Sequence, residues 1–292
     1  MAAQKGVDKG RGWSLGLAGL LAPAAFWLGV FFLVPLLLIL AYSFGTSGVY
    51  GGITLGFNPE NYLKVFDPLY LQIIVRSTVI ALLNTLICLA IGYPLAYFIA
   101  FRGGSWKTAL ILLVMIPFWT SLLVRAYAWV VILGGNGLAN RTLQFLGITD
   151  GPITLIFTPQ AVMMGLVYSY LPFMVLPLYA SLEKFDARLK EAAQDLGASR
   201  WQTFWRVTFP LSLPGVIAGS ILVFIPSAGE FVIPDLLGGS QTVMTGNLIQ
   251  QQFLNARDWA FGSALAVMLA VLMLGAILIY VRRIGTDRLE GV

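Results

Sequence analysis

Residues 183–210 read EKFDARLKEAAQDLGASRWQTFWRVTFP, the most charged stretch of a chain in which only 11% of the residues are charged. The stretch reads as two short helices. In the first, Leu189, Ala192, Ala193 and Leu196 recur at i, i+3, i+4 and i+7, which makes one apolar face. Asp186 stands at the N-cap position, and Gly197 follows as a left-handed stop. Ser199 and Gln202 have the spacing of a capping box for the second helix, where Trp201, Phe204 and Trp205 share a face and Pro210 closes the segment. A helix lying on a bilayer needs apolar anchoring area. Ala192 and Ala193 offer little of it, whereas Trp201 and Trp205 offer much. The first helix is therefore expected to dock on a cytoplasmic partner and the second to lie at the membrane surface.

On both sides of this stretch the chain turns apolar. Of its 292 residues 58% are hydrophobic, and a water-facing surface normally needs about a quarter of charged residues, so the solvent is read as lipid. A helical crossing needs roughly 20 mainly apolar residues. Six stretches qualify, at about Leu17–Tyr42, Ser77–Phe101, Lys107–Leu133, Pro159–Leu182, Leu213–Ile233 and Trp259–Val281. The expected class is an all-α integral membrane protein of about six transmembrane helices. Its tails are residues 1–16 and 283–292, its membrane domain 17–282, and its cytoplasmic loop 183–210. With both termini in the cytoplasm, thirteen Lys and Arg fall inside, from Lys5, Lys9 and Arg11 through the loop to Arg282, Arg283 and Arg288. Five fall outside: Lys64, Arg76, Arg125, Arg141 and Arg257. That bias sets the expected orientation, and it explains the net charge of +5 without nucleic acid. Pro94, Pro117, Pro172, Pro177 and Pro226 lie inside apolar runs, which membrane helices tolerate when neighbours re-satisfy the freed carbonyls. The fifth run is rich in Gly, Ser and Ala and is expected to pack inside the bundle.

Several chemistries are excluded. Cys88 is the only cysteine and reads as a small packing residue, so no Cys-x-x-Cys metal or redox motif exists. The chain has no histidine, which removes zinc-protease motifs and histidine-based triads. Gly45-Thr46-Ser47-Gly48 superficially matches an intramembrane protease motif, but without a base it reads as a turn leaving span one. No metal site and no catalytic residue is expected.

Residues 191–210 resemble the EAA loop of binding-protein-dependent ABC importer permeases of type I. Glu191-Ala192-Ala193, Gly197 and Val207-Thr208-Phe209-Pro210 stand at the family's spacing, with Phe209 where leucine is commoner. The resemblance implies that Glu191, Ala192, Ala193, Gly197, Leu189 and Leu196 couple the chain to an ATPase. It further implies two copies of a cytoplasmic ATPase subunit, a second homologous permease chain and an extracytoplasmic solute-binding protein, in a bacterial inner membrane. The chain has no Gly-x-x-x-x-Gly-Lys-Ser/Thr motif, so it is expected to bind no cofactor, with ATP and magnesium used by the partner ATPase.

Glu230, in the string SAGEFVIPDLLGG, is an ionisable group near the outer end of span five, and such groups usually face a bundle interior or a water path. Its alternative is a carboxylate held by local backbone amides. Asp235 lies nearer the surface. Trp119, Tyr127, Trp129, Tyr168 and Tyr170 are expected toward the outer ends of spans three and four, as an interfacial belt or as partners for a cationic substrate. The SAGEFVIPDLLGG string and Arg125-Ala126-Tyr127-Ala128-Trp129 are similar to the spermidine/putrescine subgroup of these permeases. Permeases for iron, thiamine or sulfate share the architecture, and a proton-coupled carrier using Glu230 is the reading from another class.

Overall fold

The computed structural model describes residues 20–48 and 52–284. The two tails and the basic residues Lys5, Lys9, Arg11 and Arg288 lie outside them. Among the described residues six helical stretches are long and apolar enough to cross a membrane. Span one (Leu20–Ser43), span two (Pro68–Arg102), span four (Pro159–Glu183), span five (Arg200–Gly229) and span six (Trp259–Ile284) follow the expected order. A two-residue antiparallel pairing of Thr46–Ser47 with Ile53–Thr54 follows span one, so Gly45 is a bend leading into a short strand where a turn over Gly45–Gly48 was expected.

Spans two, four and five form the core, where Cys88, Met174, Val175, Leu178 and Val223 are fully buried. Span five packs closely because Gly215 and Gly219 bring its backbone against Pro177, Leu178 and Met174 of span four, as the run of small residues predicted. Two side-chain bonds tie span five to span two: Tyr93 with Ser212 at 2.8 Å, and Asn84 Nδ2 donating to Ser227 Oγ at 2.7 Å. Interhelical bonds of this kind contribute about 0.6 kcal/mol on average and up to about 1.7 kcal/mol in a membrane. Span one packs on span six, its last residue Ser43 is bonded to Asn61 and Tyr62, and its exposed Leu and Phe side chains suit lipid.

The third crossing differs from the expected single helix at Lys107–Leu133. Lys107–Met115 and a 3₁₀ turn at Ile116–Trp119 form a shorter apolar helix, and the third stretch long enough to cross is Leu122–Phe145, in which the helix Leu122–Leu133 is followed by another at Leu138–Phe145. Both halves pack along span four, Phe118 against Phe173 at 5.1 Å and Trp129 against Tyr168 at 5.8 Å. The break has a local cause. Pro117 supplies no backbone donor, Thr120 Oγ1 donates to the Pro117 carbonyl at 2.7 Å, and Thr120 and Ser121 adopt extended conformations. Pro94, Pro172, Pro177 and Pro226 stay within continuous helices.

Span five is also longer at one end and shorter at the other than expected. Its helix begins at Arg200 and runs through Pro210, so the second loop helix is the lead-in of the span and Pro210 does not end it. A π-turn at Phe204–Thr208, in which the Phe209 N–H reaches the Phe204 carbonyl, precedes the proline and absorbs the register change. At the other end the helix stops at Gly229. The chain then makes a π-turn at Pro234–Gly238, returns at Met244–Gly246 to the backbone of Gly229 and Glu230, and leaves again as the helix Thr245–Leu254. Non-helical backbone at membrane depth survives only when buried in protein or lining a cavity. Here Ile233, Leu237, Thr242, Met244 and Thr245 are buried, while Arg76 donates to the carbonyls of Gln241 and Val243, and Ser77 accepts from the Thr245 N–H at 2.7 Å.

Candidate functional site

At the loop face of the bundle the helix Ala187–Asp195 is closed at both ends by its own sequence. The Asp186 carboxylate accepts from the Arg188 N–H at 3.0 Å. At the other end Gly197 takes φ +85°, a conformation that costs glycine nothing. Its N–H reaches the Gln194 carbonyl at 2.9 Å, and the Ala198 N–H reaches Ala193 at 3.0 Å, the double closure of a Schellman motif. The capping box follows directly: Gln202 N–H donates to Ser199 Oγ at 3.2 Å, and the Ser199 N–H donates to Gln202 Oε1 at 2.9 Å.

This rigid element leaves its apolar face uncovered. Leu196 is 90% exposed and Leu189, Glu191 and Ala192 are exposed, with Ala193 half-buried. Trp201, Phe204 and Trp205 pack on one another as their spacing predicted, Trp205 edge-on to the other two rings. Phe204 also turns inward onto Tyr93 at 5.6 Å, which the one-face reading did not include.

The second constellation lies at the end of the span-five helix. Glu230 is 7% exposed, and both carboxylate oxygens are engaged. Oε1 accepts from the N–H groups of Phe231 and Val232 at 3.1 and 2.9 Å, and Oε2 accepts from the Tyr170 hydroxyl. Glu230 stands at the end of the span-five helix, and because its partner Tyr170 is at the middle of span four, that end lies deep in the bundle. Asn247 Nδ2 donates to the Phe231 carbonyl at 2.7 Å and holds the broken segment in place.

Of the residues read as a substrate path, the fold unites Glu230 with Tyr170. Trp129 lies nearby against Tyr168, half-buried. Trp119 is 72% exposed and Tyr127 is also exposed, and Asp235 is exposed on the π-turn. These three side chains are exposed and are not among the groups bonded to Glu230.

The sequence reading counted Arg125 as an outside charge and quoted it in the Arg125–Trp129 string, but did not place it among the site residues. Arg125 lies on the same helix face as Trp129, four residues on, within electrostatic reach of Tyr170, and its Nε and Nη1 are buried without hydrogen-bond partners. It also missed Asn84, whose signal was an uncharged polar group in the middle of an apolar run. Lys190, counted only as an inside charge, instead donates to Tyr97 Oη at 3.2 Å.

Comparison with known proteins follows the same lines. A family model described as "Binding-protein-dependent transport system inner membrane component" matches residues 92–289. The spermidine/putrescine transport system permease protein PotB of Escherichia coli (strain K12) is 45% identical over 256 residues, 88% of this chain and 93% of that protein. PotB of Haemophilus influenzae is likewise 45% identical, over 88% of this chain and 90% of its own length. A solved chain of a bacterial alginate ABC transporter, in complex with an alginate pentasaccharide-bound periplasmic protein, superposes with a TM-score of 0.77 at 18% identity, covering 94% of this chain and 95% of that one. At that identity the likeness concerns the fold. The family match extends from the second half of span two to beyond span six and contains the whole Glu191–Pro210 signature, so the chain belongs to the inner membrane permease components of binding-protein-dependent ABC transport systems.

Proposed function

We propose that this permease imports polyamines of the spermidine and putrescine type, as one of two homologous membrane chains driven by two copies of a separate ATPase subunit. The observation that carries the ATP-driven part is the rigid, doubly capped helix Ala187–Asp195, with Leu189 and Leu196 uncovered at the loop face. Leu189, Glu191, Ala192, Ala193 and Leu196 are its contact surface on the ATPase, and Gly197 sets its angle. ATP and magnesium are bound and used by that partner. The loop face, and with it both termini, is cytoplasmic, and an extracytoplasmic binding protein delivers the substrate to the opposite face. The polyamine part rests on the relatives at 45% identity, which are named for spermidine and putrescine.

The decisive experiment is reconstitution in proteoliposomes with the partner chains and the loaded binding protein. Spermidine uptake is expected to require ATP. Uptake that follows an imposed proton gradient and ignores ATP would make the chain a secondary carrier.

Glu230 and Tyr170 belong to the substrate path in this reading. A desolvated ammonium gains from a carboxylate beside an aromatic ring. Glutamine at position 230 can accept from the Phe231 and Val232 amides through its carbonyl and donate to Tyr170 through its amide, so the local fold is kept. Glu230→Gln is therefore expected to raise the KM for spermidine by about tenfold or more, the scale of one lost charge-assisted contact of ~1.4 kcal/mol or more, with the complex assembled normally. An unaltered KM would leave Glu230 as a residue that closes the span-five helix.

A further inference from the structure

The loop helix is joined through the chain to spans four and five, but its firmest side-chain attachment is to span two. Lys190 projects from the loop helix onto the loop-face end of that span. Its ammonium lies 3.2 Å from Tyr97 Oη, and 5.7 and 5.3 Å from the ring centroids of Tyr97 and Phe101. The two rings pack on each other at 4.7 Å, with Phe185 edge-on to Phe101 and Phe204 edge-on to Tyr97. A half-buried ammonium with a hydroxyl acceptor and two ring faces is held electrostatically and sterically at once. The aromatic cluster draws on span two, the loop and the lead-in of span five.

Span two continues as one helix from this cluster into the core, through Pro94. Tyr97 and Asn84 are separated by about 20 Å of helix at 1.5 Å per residue. Tyr93 is bonded to Ser212 on the way, and Asn84 donates to Ser227, three residues before Glu230. The Ser227 hydroxyl in turn donates to the Val223 carbonyl within the last turns of span five. Contacts therefore run without a gap from the loop helix, along span two, to the helix break that holds Glu230.

We propose that Lys190 is a positioning residue that delivers displacement of the loop helix to span two, and through the Asn84–Ser227 bond to the break at Glu230. The inference rests on the reading that the loop helix docks on the ATPase, and it adds a third span to the two that flank the loop. Span four meets the loop helix through Lys184–Asp186, and span five meets it through Ala198–Ser199 and through packing of its lead-in, Arg200–Thr208, so Lys190 supplies the side-chain link to span two. The clamp at Lys190 makes the loop helix and span two move as one body.

The test uses the complete complex in proteoliposomes, with ATP hydrolysis and spermidine uptake measured in the same vesicles. Lys190→Met keeps the length and apolar stem of the side chain and removes the charge and donor. The expected result is ATP hydrolysis close to that of the unsubstituted complex, with spermidine imported per ATP reduced by about fivefold or more. Lys190→Arg, which keeps donor and charge over the rings, is expected to restore most of the ratio. A Lys190→Met complex that transports at the original ratio overturns the proposal. So does one that no longer retains the ATPase subunit, since Lys190 would then be part of the docking surface. Absence of ATP-driven uptake in the unsubstituted complex would instead refute the importer reading, which keeps the two failures apart.

Discussion

Glu191→Lys is expected to abolish ATP-driven uptake while the chain inserts and accumulates normally. Glu191 is exposed on the loop helix, so its replacement disturbs no packing within the chain. Lysine and glutamate have similar helix propensities, and the caps at Asp186 and Gly197 remain. The helix should therefore form as before. What changes is the surface presented to the partner, where one negative charge becomes positive beside Leu189, Ala192 and Leu196. Reversing a charge in a desolvated interface costs about 2–5 kcal/mol, a factor of roughly 30 or more in subunit affinity. Co-purification of the ATPase with the variant, and uptake in proteoliposomes, read the effect directly. Full uptake by the variant would mean that this face is not where the ATPase binds.

Gly246→Ala should be the most damaging single-methyl change at the broken end of span five. A Cβ at Gly246 would lie 2.4 Å from the Gly229 carbonyl oxygen and 2.6 Å from that of Glu230. Both are backbone atoms with no rotamer through which to yield. The helix Thr245–Leu254 would have to withdraw, breaking the contact of Thr245 with Ser77 and that of Asn247 with Phe231. Overpacking of this kind costs about 1–3 kcal/mol or more, and each buried bond lost adds about 1 kcal/mol. Low accumulation in the membrane and a clearly reduced melting temperature in detergent are the expected readings. Gly229→Ala is the control from the same site: nothing lies within 4 Å of its Cβ, so its effect should stay within about 0.5 kcal/mol. Equal stability of the two variants would show that the segment after Glu230 does not return to this position.

The loop was the most legible part of the molecule. Asp186, Gly197, Ser199 and Gln202 act on backbone groups within five residues of themselves, so their spacing alone specified the caps that the structure contains. The lipid-facing character of the chain and the number of its crossings were equally readable, because both follow from composition along the sequence. The small residues of span five announced close packing, and Gly215 and Gly219 provide it against span four.

The breaks and the partners were not readable in this way. Pro94 and Pro117 look alike in the sequence, yet one lies in a continuous helix and the other beside a break. The difference lies in neighbours: span two is packed by spans four and five along its length, whereas Thr120 turns its hydroxyl back on the Pro117 carbonyl. Pro210 looked like a terminus, and the π-turn before it carries the helix through. Glu230 was singled out from its chemistry, but its depth and its bond from Tyr170 came from the way the chain re-enters after Gly229. Local spacing specified what acts over one or two turns of backbone, and composition specified what the solvent must be. The pairings of Lys190 with Tyr97, Asn84 with Ser227 and Tyr170 with Glu230 join residues 93, 143 and 60 positions apart, and were decided only when helix packing brought their side chains together.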